Sequence, residues 1–264
     1  MQKDMVKRCF ARYEVKYLIT EAQQEALRSA FADHMKADEH PKYTIRNLYC
    51  DTDNFRMIRD SLDKPDYKEK LRLRSYGLVK DEDTVFLEMK KKMDGMVFKR
   101  RIVLGAGEAM AYLGNGTLPQ DDSQILREID YMRAFYAPKP KIFLAYDREA
   151  WAGIEDTELR LTFDTNLRWR RNALDLRLDA PTRLFLPRES VLLEIKTPST
   201  IPLWLTRKLN ALGIRQTSFS KYGTCFRDHI LPALAEEQRR KAALKTQAGG
   251  QTILFPLYAD AQRA

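Results

Sequence analysis

The chain repeats short stretches in which charged and apolar residues alternate, and residues 70–76, Lys-Leu-Arg-Leu-Arg-Ser-Tyr, show the pattern most clearly. Side chains of a β-strand point alternately to opposite faces of a sheet. Arg72 and Arg74 therefore share one face of a predicted strand, and Leu71 and Leu73 share the other. Two guanidinium groups on one strand face favour the binding of an anion.

The same alternation recurs along the chain and predicts a sheet with eight strands. Because several of the connecting loops are short, we predict antiparallel strands that close into a barrel. The predicted class is therefore α+β, an eight-stranded antiparallel closed β-barrel with helices packed on the outside. The first helix is predicted over residues 20–35, from the start signal at Thr20 and the apolar spacing that follows. The predicted strands cover residues 10–18, 43–50, 70–76, 84–92, 96–104, 141–151, 158–168 and 190–197.

No domain boundary is visible before about residue 234, because strands with the same pattern continue on both sides of a helical insertion. We therefore predict one domain over residues 1–234. Residues 235–264 are predicted to form a charged C-terminal helix and a tail.

Lysine and arginine together number 46, against 37 for aspartate and glutamate, which gives a formal net charge of +9. Such an excess favours an anionic partner: nucleic acid, a membrane surface or a phosphate compound. The three cysteines are widely spaced and predict neither a disulfide framework nor a zinc cluster. No apolar run is long enough for a transmembrane helix. We predict a cytoplasmic protein and leave open a peripheral attachment to the membrane through a membrane-protein partner.

The polar faces of the predicted strands have two interpretations. An antiparallel sheet with one face in water also alternates polar and apolar residues. Here, however, the polar positions repeat Glu-x-Lys at residues 14–16, 88–90 and 194–196, and they contain few of the uncharged polar residues usual on a solvated face. If these faces turn inward, the enclosed space must be wet or hold a polyanion, because buried unpaired charges are costly. Arginine and lysine would then bind phosphate oxygens, and carboxylates would hold a divalent cation.

The ordered motifs resemble those of the vacuolar transporter chaperone (VTC) family of polyphosphate polymerases, which belongs to the triphosphate tunnel metalloenzyme, or CYTH, superfamily. The resemblance runs from about residue 8 to 230 and implies an eight-stranded tunnel that is open at both ends and binds triphosphate or polyphosphate. Ser218 departs from the family pattern, which has a basic residue there. The motifs are Glu14-x-Lys16, Arg72-x-Arg74-x-Tyr76-Gly77, Glu88-x-Lys90, Lys99-x-Arg101, Tyr146-x-Arg148, Arg160-Leu-Thr-Phe-Asp164, Glu194-Ile-Lys196 and Ser220-Lys221-Tyr222.

The resemblance also assigns roles to individual residues. The principal metal ligand would be Glu194, with Glu14 and Glu88 as further carboxylates, for Mn²⁺ or Mg²⁺. Additional substrate-binding residues would be Arg59, Arg101, Tyr146 and Ser220. The phosphate ligands of the reaction would be Lys16, Arg72, Arg74, Lys90, Lys99, Arg148, Arg160 and Lys221.

Three functions fit this pattern. The first is an ATP-dependent polyphosphate polymerase, a phosphotransferase that moves the γ-phosphoryl group of ATP to a polyphosphate chain. The second is a metal-dependent hydrolase of inorganic or organic triphosphates, and the third is a subunit that binds polyphosphate without catalysis. Nucleic-acid binding is disfavoured, because contacts with a phosphate backbone reward cations and gain nothing from inward carboxylates.

Overall fold

The computed structural model describes residues 13–63, 65–93 and 96–247, and it contains one antiparallel sheet. The eight predicted strands are all present, although β2 begins earlier than predicted and residues 10–12 of the first predicted strand lie outside the described residues. The segment between β7 and β9 adds a two-residue strand. The strands are β1 (Tyr13–Thr20), β2 (Met35–Asp51), β3 (Tyr67–Tyr76), β4 (Thr84–Met93), β5 (Met96–Gly105), β6 (Lys139–Gly153), β7 (Arg160–Arg170), β8 (Arg183–Leu184) and β9 (Ser190–Thr197).

The strand order is β1-β9-β7-β6-β2-β3-β4-β5, with β8 paired to β7 outside this path. All neighbouring strands are antiparallel. The α+β class and the antiparallel sheet are thus confirmed. The order also places β1 far from β4 along the sheet, so the charged residues of these two strands can approach each other only if the sheet curls.

The sheet curls until its two ends face each other. In a flat sheet β1 and β4 would be separated by about 29 Å, since neighbouring strands lie about 4.8 Å apart. Yet Lys16 on β1 donates to the Phe219 carbonyl at 3.2 Å, and Lys70 on β3, the neighbour of β4, donates to the adjacent Ser220 hydroxyl at 3.3 Å, which brings β1 and this end of the sheet close together. The polar faces of the strands therefore line a common cleft.

The curled sheet is not closed, which corrects the predicted closed barrel. Among the described residues β1 pairs only with β9, β5 pairs only with β4, and no ladder joins β1 to β5. The outer edge of β1 is already occupied by an irregular segment: the Thr217 amide donates a 2.8 Å hydrogen bond to the Lys16 carbonyl, and Gln216 bridges to Tyr17. Closure needs backbone pairing along this edge, and these two residues take its place.

Seven helices accompany the sheet in the described part of the chain, together with one π-helical turn, Phe226–Ile230. This turn lies between α6 and α7. No helix of the described residues is long and apolar enough to cross a membrane. The helices are α1 (Glu21–Arg28), α2 (Arg56–Leu62), α3 (Ala106–Asn115), α4 (Gln124–Tyr136), α5 (Leu203–Ala211), α6 (Lys221–Cys225) and α7 (Leu231–Gln247). Helix α7 continues across residue 234. The division of the chain at 234/235 stays a prediction.

The first helix is shorter than predicted. Thr20 caps it as expected, since its hydroxyl accepts from the Gln23 amide and the Gln23 side chain accepts from the Thr20 amide. The helix ends at Arg28, however, and Phe31 and Met35 belong to a turn and to β2. Phe31 packs edge-on against Trp151, with ring centroids 5.1 Å apart. The apolar spacing that mimics a helix therefore comes from tertiary packing.

Two apolar cores lie on the outer face of the sheet. Leu71, Leu73 and Leu87 pack beneath α3 and α4 in one core. Tyr17 and Leu193 pack beneath α1 and α5 in the other. The alternation predicted this arrangement, since these residues interleave with the charged ones. Helices α1, α3, α4 and α5 are therefore placed outside, as predicted.

The inner face of the sheet is divided in two. At one end its residues are apolar, such as Leu144 and Ile142, and they form a third core with α2, α6 and the π-helical turn. At the other end they are charged and line the cleft. The inward placement of these helices was not predicted, and it fills one end of the space that the family resemblance implied to be open at both ends.

Candidate active site

The first cluster of cleft residues, the Glu88 cluster, consists of Glu88, Arg72, Arg74 and Lys99. Arg72 donates through Nε to Glu88 Oε2 at 2.8 Å, and its Nη2 lies 2.8 Å from the same oxygen. Lys99 Nζ lies 2.6 Å from Glu88 Oε1, and Arg74 Nε lies 3.6 Å from Oε2. The three strands β3, β4 and β5 are neighbours, so the alternation in each places these charges on one surface. One carboxylate thus faces three cations.

Electrostatics fix the ionisation of this cluster. Burial would raise the pKa of Glu88, but Arg72, Arg74 and Lys99 together lower it to about 2. Burial lowers the pKa of Lys99 to about 8, with Glu88 opposing that shift and the two arginines adding to it. Tyr49 and Asn47 on β2 hold the arginines, since the Tyr49 hydroxyl accepts from Arg72 at 3.1 Å and Asn47 Oδ1 accepts from Arg74 at 3.1 Å. The guanidinium groups are therefore oriented before any ligand arrives.

The second cluster, the Glu194 cluster, consists of Glu194, Asp164, Arg148, Lys221 and Lys16. Arg148 forms a bidentate pair with Asp164, at 2.6 and 2.7 Å, and also donates to Glu194 Oε2 at 3.1 Å. Lys221 Nζ lies 2.6 Å from Asp164 Oδ2 and 2.8 Å from Glu194 Oε1. Lys16 Nζ lies 3.7 Å from Glu194 Oε1. Four strands and the first residue of α6 meet here.

The second cluster is deeply buried and strongly polarised. Burial would raise the pKa of Glu194, but Lys221, Arg148 and Lys16 hold it well below its ordinary value. Burial would lower the pKa of Lys221, but Asp164 and Glu194 raise it well above the ordinary lysine value. The Tyr146 ring lies beneath both cations, with Lys221 Nζ 4.5 Å and Arg148 Cζ 5.3 Å from its centroid. Glu194 is therefore ionised, and both Arg148 and Lys221 are charged.

The predicted metal ligands are not all brought together. Glu14 and Glu194 lie on either side of Lys16, whose Nζ is 3.6 Å from Glu14 Oε1, and the two carboxylates repel each other. Glu88 is held separately by its own cations. Within the described residues, no group of three or more metal-binding side chains forms. A divalent cation that keeps one or two protein carboxylates and takes its other ligands from phosphate oxygens fits Glu14 and Glu194.

Three predicted arginine ligands belong to neither cluster. Arg160 on β7 pairs with Asp38 at 2.8 Å. Arg101 on β5 is exposed, with its guanidinium carbon 5.0 Å from the centre of the Phe86 ring. Arg59 on α2 reaches the Asn54 carbonyl at 3.5 Å. Their assignment as phosphate ligands remains a prediction.

Three cleft residues are absent from the predicted ligands. Asp164 is fully buried and anchors Arg148 and Lys221, although the alternation in β7 already placed it on the charged face. Lys70 and Lys196 also lie on this face, and burial lowers the pKa of both. Each of the three is a charged residue an even number of positions from a predicted ligand of its own strand. A motif match selects single positions, whereas the period of two marks the whole face.

The folded chain can be compared with known proteins at this point. A family model of the VTC domain matches residues 11–228. A comparison with curated proteins finds no match. Among solved structures, a candidate adenylyl cyclase from Hippeastrum, described as having a dominant triphosphatase activity, is 18% identical with a TM-score of 0.50, over 81% of this chain and 94% of that chain. A candidate adenylate cyclase from Bacillus halodurans is 17% identical with a TM-score of 0.49, over 80% of this chain and 94% of that chain.

Proposed function

This chain belongs to the VTC domain family, and we propose that it is a metal-dependent phosphotransferase that moves the γ-phosphoryl group of ATP to the end of a polyphosphate chain in the cleft. The observation that carries this proposal is the surplus of oriented cations around a few buried carboxylates. Arg72, Arg74 and Lys99 face a single carboxylate, Glu88. A polyanion is the ligand that balances such a surface.

The Glu88 cluster supports binding of the phosphate chain. The arginines are held by Tyr49 and Asn47, so they need little reorganisation to bind phosphate oxygens. Arginine offers paired donors and lysine a compact charge. When phosphate arrives, Arg72 and Lys99 exchange part of their contact with Glu88 for the ligand.

The Glu194 cluster supports the transfer itself. Lys221, Arg148 and Lys16 would neutralise charge on a transferred phosphoryl group, and their convergence on Asp164 and Glu194 supports this role. Glu194 and Glu14 would hold Mn²⁺ or Mg²⁺, which neutralises phosphate charge when bound. In the reaction a terminal oxygen of the acceptor chain forms a bond to the γ-phosphorus, the bond to the β–γ bridging oxygen breaks, and ADP leaves with that oxygen.

Hydrolysis of a triphosphate on the same surface is the second candidate. It needs only water in place of the acceptor chain, and the same residues bind the donor. The Hippeastrum protein, described as having triphosphatase activity, shares the fold with this chain. That likeness concerns the fold alone, and analysis of the products distinguishes the two reactions.

The test is incubation of the purified protein with ATP and Mn²⁺, followed by analysis of polymer, ADP and orthophosphate. Long polymer with an equal amount of ADP supports the polymerase. Orthophosphate without polymer supports the hydrolase. Binding of tripolyphosphate without either product supports a binding subunit, and absence of binding and of both products contradicts the proposal.

Matched variants make the test specific to the cleft. Arg72→Ala should lower the rate at least about a hundredfold, since a charged pair with phosphate is removed in a preorganised site. Lys36→Ala, at an exposed lysine of β2, should leave it unchanged. Equal losses in both variants would show that the activity does not depend on the Glu88 cluster.

A further inference from the structure

Three lysines stand side by side across β3, β4 and β5, and we name them the lysine row: Lys70, Lys90 and Lys99. Lys70 is directly opposite Lys90 in the β3/β4 register. Lys90 is directly opposite Lys99 in the β4/β5 register. Like charges that face each other across strands destabilise a sheet, so this arrangement calls for an anion.

The protein itself supplies little compensation for the row. Lys99 pairs with Glu88 and the charge of Glu14 favours the charged form of Lys90, but within residues 13–63, 65–93 and 96–247 neither Lys70 nor Lys90 forms an ion pair. Lys70 Nζ instead donates to the neutral Ser220 hydroxyl at 3.3 Å. This hydroxyl also accepts from the Gly223 amide at 3.1 Å, so its position is fixed by α6.

The charges that act most strongly on Lys70 are cationic. Burial lowers its pKa to about 7, and Lys90, Lys68, Lys16 and Arg72 add to that shift. These neighbours come from β4, β3 and β1. Lys70 is thus partly buried in the cleft near β1 and β4, where it donates to a hydroxyl group and has cations around it.

The lysine row lies next to the Glu88 cluster along the strands. Arg72 is opposite Glu88, and Glu88 is opposite Arg101, in the same registers, and the row is two residues further toward Met93 of β4 and Met96 of β5. Two residues of a strand span about 7 Å. A single phosphate group bound at Arg72 does not cover this distance, whereas a chain of phosphates does.

We propose that Lys70, held by Ser220, is a further phosphate-binding residue that extends the site beyond the Glu88 cluster and favours condensed phosphate chains over orthophosphate. This inference rests on the proposed binding of phosphate chains in the cleft. It adds a residue that determines specificity for chain length, and it gives a reason for three lysines to stand opposite one another. Lys90 and Lys99 provide the continuation of the row on the neighbouring strands.

The experiment measures binding of orthophosphate, tripolyphosphate and a longer linear polyphosphate by titration calorimetry. The wild-type protein is compared with Lys70→Gln, Lys70→Arg and the exposed control Lys36→Gln. Loss of one charged hydrogen bond corresponds to about a tenfold loss of affinity. We expect Lys70→Gln to lose about tenfold for the two chains and little for orthophosphate, whereas Lys70→Arg and Lys36→Gln remain near wild type.

The outcomes separate the two proposals. If the wild-type protein does not bind tripolyphosphate, the proposed function fails. If it binds, but Lys70→Gln loses nothing or loses equally for all three ligands, the role of Lys70 is overturned. Thermal unfolding should show that Lys70→Gln is folded, since the substitution removes a cation that its neighbours repel. If the glutamine side chain destabilises the protein, Lys70→Ala replaces it in the binding experiment, and the same pattern of affinity losses is expected.

Discussion

The Glu88 cluster and the Glu194 cluster both combine buried carboxylates with several cations, but in different proportions. The first places one carboxylate of β4 among three cations from the two neighbouring strands, β3 and β5. The second places two carboxylates, Asp164 and Glu194, among three cations drawn from segments far apart in the chain. The first therefore has charge to spare for a ligand, and the second is nearly balanced by itself.

Because of this difference in charge balance, substitutions in the two clusters should have different effects on stability and on ligand binding. Removal of one cation from the Glu88 cluster leaves Glu88 with two others. Removal of Arg148 from the Glu194 cluster takes away the bidentate partner of a fully buried carboxylate. The first cluster should thus tolerate substitution in folding while losing ligand affinity, and the second should lose stability as well.

The largest expected effect is on stability. Arg148→Ala should lower the free energy of unfolding by about 3–5 kcal/mol, because removal of one partner from a buried ion pair leaves the other charge uncompensated. Arg72→Ala should lower it less, since Glu88 keeps Lys99 and Arg74. Urea unfolding of both variants measures the difference. Equal losses would show that the two clusters do not differ in this way.

The next effect concerns the metal. Glu194→Gln should raise the Mn²⁺ concentration needed for half-maximal activity about tenfold, the loss typical when a group that supports metal binding is altered. Glu88→Gln should leave that concentration unchanged, because Glu88 lies apart from Glu14 and Glu194. Activity measured across an Mn²⁺ series tests both. An equal increase of that Mn²⁺ concentration in Glu88→Gln would indicate that Glu88 also takes part in metal binding.

A third prediction uses pH. The pKa of Glu88 is lowered from its ordinary 4.5 to about 2 in the folded protein, since Arg72, Arg74 and Lys99 outweigh the opposing effect of burial. A carboxylate with a lowered folded pKa adds stability that is complete above its unfolded pKa and is lost as the pH falls through the folded pKa. Each tenfold change in the acid dissociation constant corresponds to about 1.4 kcal/mol.

The wild-type protein should therefore lose stability between about pH 4.5 and pH 2, and Glu88→Gln should lose less over that interval. Chemical unfolding at a series of pH values measures this dependence. The exposed Glu155→Gln variant is the control. A wild-type slope in Glu88→Gln would mean that other carboxylates cause the acid sensitivity.

The smallest expected effect is at Ser220. Ser220→Ala removes the side chain that caps α6 through the Gly223 amide, and loss of such a cap costs about 1 kcal/mol. Thermal or urea unfolding measures it. Ser220→Thr keeps the hydroxyl and should stay closer to wild type, and equal destabilisation by both substitutions would argue against a capping role.

The sequence by itself determined the strands and the charged face. Each strand carries its own period of two, so the sharing of a face by Arg72 and Arg74, or by Glu194 and Lys196, needs no knowledge of the fold. The Glu88 cluster follows almost completely, because β3, β4 and β5 are joined in order and their registers follow from short connections. Family membership also followed from the order of the motifs along the chain.

Only the tertiary structure decided which charges meet. Asp164 and Lys221 are far apart in sequence, and their contact depends on how α6 lies against β7 and β9. The lack of pairing between β1 and β5 in the described residues likewise depends on Gln216 and Thr217, which occupy the outer edge of β1. Alternation fixes the face of a residue but carries no information on the curl of the sheet or on what packs against its inner end. For that reason the sequence predicted the charged surface, whereas the separation of Glu88 from Glu14 and Glu194 and the surroundings of Lys70 became visible only in three dimensions.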